Sequence, residues 1–250
     1  MRNIKYKYLM LFLLVGSFFS SCFNDLNTVP IDDDEFVSEV VFKDPASYKQ
    51  VLGKLYAGLA VSGQQGPAGR PDIGGIDEGF STYLRQYFKA QELPTDEAVI
   101  AWNDGNLQDY TRHNWDANNE FVAAMYNRIF YQISLCNEYL RETTDAKMAE
   151  RGTPAATQTE VKTFRAEARF LRALSYYHAL DFFRNVPFVT ENDIVGNFFP
   201  KQTNANDLFN YIESELKAID AELVAPRANE YGRADQAAAW TLLAKLYLNA

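Results

Sequence analysis

Residues 77 to 115 gather side chains of the kind that recognise sugars: Asp77, Tyr83, Arg85, Trp102, Asn103, Asp104, Asn106 and Trp115. Flat apolar rings stack on sugar faces, and carboxylates, carboxamides and guanidinium groups reach ring hydroxyls in pairs. In the stretch "AWNDGN" (101–106), Asp104-Gly105 favours a tight turn that would push the indole of Trp102 outward. Packing is the competing reading, in which either indole sits under the loop as satellite core. For Trp115, flanked by polar residues just ahead of a helix, packing is the expectation; Trp102 stays open between the two roles.

Catalytic chemistry is poorly represented. Of the two histidines, His113 and His178, the second lies on an apolar helix face among aromatics and is expected to be packed. No HExxH, GxSxG, P-loop or paired-cysteine metal pattern occurs. The acid pairs Asp77-Glu78 and Asp96-Glu97 have the composition of a glycosidase-like dyad, but adjacent acids in a polar loop are usually solvated or capping. The expectation is a binding protein and not an enzyme, with no catalytic residue, no metal and no cofactor.

The elements that must position these residues are helices. Asp44-Pro45 reads as an N-cap followed by proline at the first helical position, opening a helix striped by Val51, Leu52, Leu55, Tyr56 and Leu59 and ending near Ser62-Gly63. The glycine- and proline-rich residues 63–79 form a loop. Residues 80–117 show no clear period and read as short helical turns and loops; a long irregular segment within a domain is often functional. Long helices follow at about 119–142, with the stripe Phe121, Met125, Ile129, Ile133, Cys136 and Leu140, and at about 159–183, separated by a connecting loop. "NVPFVT" (185–190) is extended, because Pro187 cannot continue a helix. Further helices span about 205–223 and 234–250.

Two of these helices resemble each other at an offset of 71: Ala166/Ala237, Ala168/Ala239, Leu171/Leu242, Ala173/Ala244, Tyr176/Tyr247 and Ala179/Ala250 are identical pairs. Small residues interleaved with large ones let helices pack closely, as in tetratricopeptide-like units of about 34 residues. The expected fold is mostly α, a tetratricopeptide-like helical-repeat scaffold with long ligand-facing loops and few short strands. The last helix reaches Ala250 without Gly, Pro or a basic last turn, so a longer protein truncated at its C-terminus is expected.

The chain starts differently. Arg2, Lys5 and Lys7 precede the apolar run Tyr8–Phe19, which is too short for a bilayer span of about 20 residues. Small residues Ser20 and Ser21 and then Cys22 follow, the order of a secretory signal ending at an acylated cysteine. Removing those three cations takes the formal net charge from −9 to −12, which disfavours nucleic acid. With Cys22 lipidated, Cys136 is left alone and is expected as a small buried hydrophobe. The resulting organisation is a lipoprotein signal peptide at 1–21, a tether and irregular segment at 22–43, and an α-helical domain from 44 to 250.

At "FRAEARFLRALSYYHALDFFRNVPFVTE" (164–191) the sequence resembles the SusD/RagB-like family, through Arg165, Glu167, Arg169, Leu171, Arg172, Ala173, Tyr176, Tyr177, Pro187 and Thr190-Glu191. "CFNDLNTVP" from Cys22, "LPTDEAV" (93–99), "YNRIFYQISLCNEYL" and "GRADQAAAWTLLAKLYLNA" resemble other parts of the family in the same order. The resemblance implies a surface lipoprotein of the outer membrane that binds an oligosaccharide and delivers it to a TonB-dependent, SusC-like transporter. A peptide-binding member or a ligand-free scaffold are the alternatives. By order and approximate spacing it implies Asp77, Arg85, Trp102 and Asn106 as ligand-binding residues and Cys22 as the lipidation site. The arginines Arg165, Arg169 and Arg172 are expected to pair with Glu167 and with acids on neighbouring helices, and not to grip an anion.

Overall fold

The computed structural model describes residues 37–63, 71–75, 77, 79–196 and 198–249. The export segment, Cys22 and most of the tether lie outside the described residues. The chain divides into two units, Met1–Val41 and Phe42–Ala250. In the first, the described residues form the short helix α1, Ser38–Val41.

The second unit is a stack of helices: α2 Ser47–Ala60, α3 Tyr83–Glu92, α4 Asp109–Arg112, α5 Glu120–Glu142, α6 Asp145–Glu150, α7 Ala155–Phe183, α8 Ala205–Ala218 and α9 Gln236–Leu248. The most extensive packing joins α5 to α7, then α7 to α8, with α9 on α8 and α2 against both α5 and α7. Each helix thus covers its neighbours' apolar stripes, and the result is the expected tetratricopeptide-like scaffold. The stripe on α5 is buried throughout: Phe121, Met125, Ile129, Ile133, Cys136 and Leu140. The internal similarity has a packing counterpart. Ala168, Leu171 and Ser175 of α7 are buried, and so are the residues 71 positions on, Ala239, Leu242 and Leu246 of α9.

Several boundaries differ from expectation for identifiable reasons. Asp44 does cap a chain start, accepting from the Ala46 amide at 3.0 Å, but turns occupy the residues up to Ala46, and α2 begins at Ser47. The segment 80–117 contains a ten-residue helix, α3. Its inner face carries Tyr83, Gln86 and Lys89, while Leu84 and Phe88 are exposed, so polarity gave no sign of which face is inside. The loop after α5 contains α6, capped by Thr144 Oγ1 accepting from the Lys147 amide. Helix α7 starts four residues before Thr159, directly after Pro154. Helix α8 ends at Ala218; Ile219 and Leu223, which extend its apolar pattern, are buried in the turns that follow. Helix α9 has Lys245 in its last turn.

The expected short strands reduce, among the described residues, to one isolated antiparallel bridge between Pro187 and Gln202. Phe188 N–H donates to Lys201 O and Thr203 N–H to Val186 O. Pro187 has no N–H with which to extend the ladder.

The arginines of α7 are structural. Arg165 pairs with Asp145, Arg169 with Glu215, and the buried Arg172 with Glu191 and Glu215 while donating to Asn137 Oδ1 at 2.7 Å. Glu167 is not their partner. Fully buried, it accepts from Tyr56 Oη at 2.6 Å and pairs with Arg233, tying α2 and α7 to the turn ahead of α9. Burial opposes ionisation of Glu215, but Arg169 and Arg172 outweigh it and hold its carboxyl below the ordinary range.

Candidate ligand-binding site

The loop between α3 and α5 sits on a compact cluster of Leu93, Leu107, Tyr110 and Phe121, with Phe80, Ala90, Ala98, Ile100 and Val122 packed against it. Burying such side chains, worth about 1.5–3 kcal/mol each, anchors both ends of the loop and leaves its middle to be shaped by hydrogen bonds. Gln108 Nε2 donates to the backbone oxygens of Ile100 at 2.9 Å and Trp102 at 2.8 Å. Leu107 N–H donates to Asp104 O at 2.9 Å, closing the turn read from Asp104-Gly105. Gly105 has φ +45°, a left-handed conformation that glycine adopts without strain.

This scaffold projects Trp102 outward, 57% exposed. The Arg85 guanidinium, carried on α3, lies over the indole 5.6 Å from its centre. Arg85 Nη1 donates to Gly79 O at 2.5 Å, and the Gly79 amide donates to Asp77 Oδ1 at 2.7 Å. Asp77, Arg85 and Trp102, separate in sequence, are therefore linked into one surface. A guanidinium over an indole face holds the ring in place by cation–π attraction, and that ring remains half open to solvent.

Asn106 is placed differently. Its Oδ1 is enclosed and without a hydrogen-bond partner in the structure, and its backbone oxygen accepts from Asn119 Nδ2 at 2.9 Å. It serves the turn, and its carboxamide oxygen is turned away from solvent. Asn119 does three tasks: its Oδ1 caps α5 by accepting from the amides of Phe121 and Val122, while Nδ2 holds Asn106 and Asp109.

One further residue of the segment is core, and another is mixed. Tyr83 is fully buried and shares a 2.8 Å hydrogen bond with His178 Nδ1. Burial first, with the Lys245 charge second, lowers the His178 pKa to about 3, so the imidazole is neutral. His178 packs as expected, against Tyr83, Tyr87 and Tyr177. Trp115 departs from the expected packing: it leans on Tyr110 at 5.9 Å yet is 43% exposed, because its polar neighbours keep the chain at the surface.

Sequence reading missed Lys89, buried on the inner face of α3 with its ammonium 4.4 Å from the centre of Phe121 and 5.3 Å from that of Phe80. Burial, and then the Arg85 charge, pull its pKa down to about 8, against the opposing influence of Asp104 and Glu120. Its spacing of three from Gln86 and six from Tyr83 was the available signal, hidden by its polarity. Cys136 is buried, and burial pushes its thiol up to about 12, which makes it inert. Among the described residues no group of three or more His, Cys, Asp or Glu is arranged to hold a metal ion, and no helix is long and apolar enough to cross a membrane.

Comparison with known proteins places this geometry. Residues 80–248 match a SusD-like family model described as starch-binding, associating with the outer membrane. The chain is 37% identical over 243 residues to the starch-binding protein SusD of Bacteroides thetaiotaomicron, an alignment covering 96% of this chain and 40% of that protein. It therefore spans about two fifths of the length of that curated relative. Among solved structures, a SusD-like protein of Bacteroides fragilis is similar with TM-score 0.61 at 18% identity, over 88% of this chain and 38% of the other. Surface glycan-binding protein A of Bacteroides uniformis is similar with TM-score 0.61 at 20% identity, over 82% and 42%. The helical stack, the match over residues 80–248 and the identity to SusD along nearly the whole sequence agree: the chain belongs to the SusD-like family.

Proposed function

We propose that this chain is the N-terminal part of a surface glycan-binding lipoprotein of the outer membrane. It holds an oligosaccharide on the Trp102 platform and delivers it to a TonB-dependent, SusC-like transporter. The observation that carries the reading is the half-exposed Trp102 indole steadied by Arg85 and backed by Asp77. A ring that is pre-positioned before binding loses little conformational freedom when a sugar stacks on it. Arg85 has donors beyond the one engaged by Gly79, and Asp77 has acceptor capacity beyond the Gly79 amide, so both can reach hydroxyls of a stacked sugar. Asn106 contributes by shaping the turn. Identity to a protein named for starch binding supports an α-glucan as the first ligand to test.

In this reading residues 1–21 are the export signal, Cys22 carries the lipid, residues 22–43 tether the domain, and residues 44–250 begin the binding domain. The protein binds without catalysing, needs no cofactor, and has no nucleic-acid partner. Calorimetric titration of the full-length mature protein with maltoheptaose, with chromatography of the recovered sugar, tests it. Saturable binding with the sugar recovered intact is expected. Cleavage of the sugar would overturn the non-catalytic reading, and binding of oligopeptides but of no glycan would replace the ligand class.

A further inference from the structure

A cleft opens between the C-terminal ends of α3 and α7 and the residues leading into α5. It encloses about 480 Å³, within the range of small-ligand pockets. Tyr110, Trp115, Phe182 and Phe183 give it rings, and Asp116 and Asp181 give it carboxylates. The platform described above uses none of these residues.

The walls are already held in place. Phe182 meets Tyr87 edge-on at 5.8 Å, and Phe183 meets Tyr126 edge-on at 5.3 Å. Trp115 leans on Tyr110 at 5.9 Å and on His113 at 5.8 Å, leaving the indole 43% exposed. The carboxylates are oriented by amide donors. Gln91 Nε2 donates to Asp181 Oδ2 at 2.9 Å, and the Asn118 amide donates to Asp116 Oδ1 at 2.8 Å. Each carboxylate oxygen has two lone pairs, so both acids keep free acceptor sites. Among the described residues no lysine or arginine lines the cleft, which disfavours an anionic ligand on electrostatic grounds. Rings for an apolar face combined with fixed acceptors for hydroxyl donors match a neutral sugar ring.

We propose that this cleft is a second sugar-ring subsite, centred on Trp115, that takes another part of the glycan held at Trp102. It rests on the glycan-binding reading above. Two subsites on one chain would raise the apparent affinity for a polymer above that for a short oligomer, because the second contact is made at high effective concentration.

The test uses the full-length mature protein and its Trp115→Ala, Trp115→Phe and Trp102→Ala variants, titrated with maltoheptaose and with soluble amylose. Trp115→Ala is expected to weaken amylose binding about tenfold, the scale of one lost ring contact of roughly 1.4 kcal/mol. It should change maltoheptaose binding less and leave the melting temperature in place. Trp115→Phe should restore most of the loss. Trp102→Ala should retain weak amylose binding that the added Trp115→Ala change removes. Amylose binding unchanged in Trp115→Ala overturns the second subsite while leaving the first standing. A loss that Trp115→Phe fails to restore, accompanied by a lower melting temperature, assigns Trp115 to packing and also overturns it. Failure of the parent protein to bind any glucan overturns the underlying function instead. Saturable binding of an arginine-rich peptide that Trp115→Ala abolishes would reassign the cleft to cations.

Discussion

At the scale of single residues, the side chains that matter divide by what surrounds them and not by their type. Tyr83 and Trp102 are both ring residues of one loop-rich segment, yet the first is sealed against His178 and the second faces solvent. His178 carries a testable consequence. Its folded pKa, about 3, lies below the ordinary 6.5. Between those values the unfolded chain binds a proton that the folded protein does not, so stability falls as pH drops below about 6.5. Well above 4.5, the ordinary glutamate value, the carboxylates stay ionised, and urea unfolding there should show this loss. It should flatten in His178→Phe, even though that variant, which removes the hydrogen bond between His178 and Tyr83 Oη, is less stable throughout. An unchanged slope in the variant would show that another group is responsible.

At the scale of elements, periodicity was a sound guide wherever the buried face was apolar. The stripes on α2, α5 and α7 could be read from residues such as Leu52, Ile129 and Leu171, and the 71-residue similarity matched buried registers. It failed at α3, where Gln86 and Lys89 point inward and Leu84 and Phe88 outward. Lys89 is tolerated there by ring faces that a linear sequence does not display. Of the candidate site, the turn at Asp104-Gly105 and the exposure of Trp102 were legible, because local chemistry fixes both. The stacking of Arg85 on Trp102 and the inward carboxamide oxygen of Asn106 were not, since they depend on how α3 and α5 meet. Asn119 links the element to the site. Asn119→Ala removes the cap of α5 and the bond to Asn106 O, and should cost about 1–2 kcal/mol in chemical denaturation. It should also weaken glycan binding, whereas Asn119→Asp, which retains the capping oxygen but sets a second carboxylate oxygen against Asn106 O and Asp109 Oδ2, should recover only part of the stability. Full retention of both properties in Asn119→Ala would detach the cap from the loop.

For the whole molecule, the proposed role requires a route out of the cell and an anchor there. The order of basic start, short apolar run, Ser20-Ser21 and Cys22 supplies both in the proposal. A single acyl chain binds a membrane only weakly, so several are needed on the mature N-terminus. Cys22→Ala should move the protein from the membrane fraction to the soluble fraction and abolish palmitate labelling. Unchanged labelling and membrane retention would remove the lipoprotein reading without touching the binding site.

The central claim is that a rigid helical stack presents Trp102 as a sugar platform. Its most direct test is Trp102→Ala in the full-length mature protein, measured by maltoheptaose titration and thermal melting on the same samples. Binding should weaken by roughly 1–3 kcal/mol, as for a lost aromatic anchor, with the melting temperature nearly unchanged because the indole is more than half exposed. A melting temperature lowered on the scale of several kcal/mol, as follows truncation of a core aromatic, or glycan binding left at its parent strength, would contradict it.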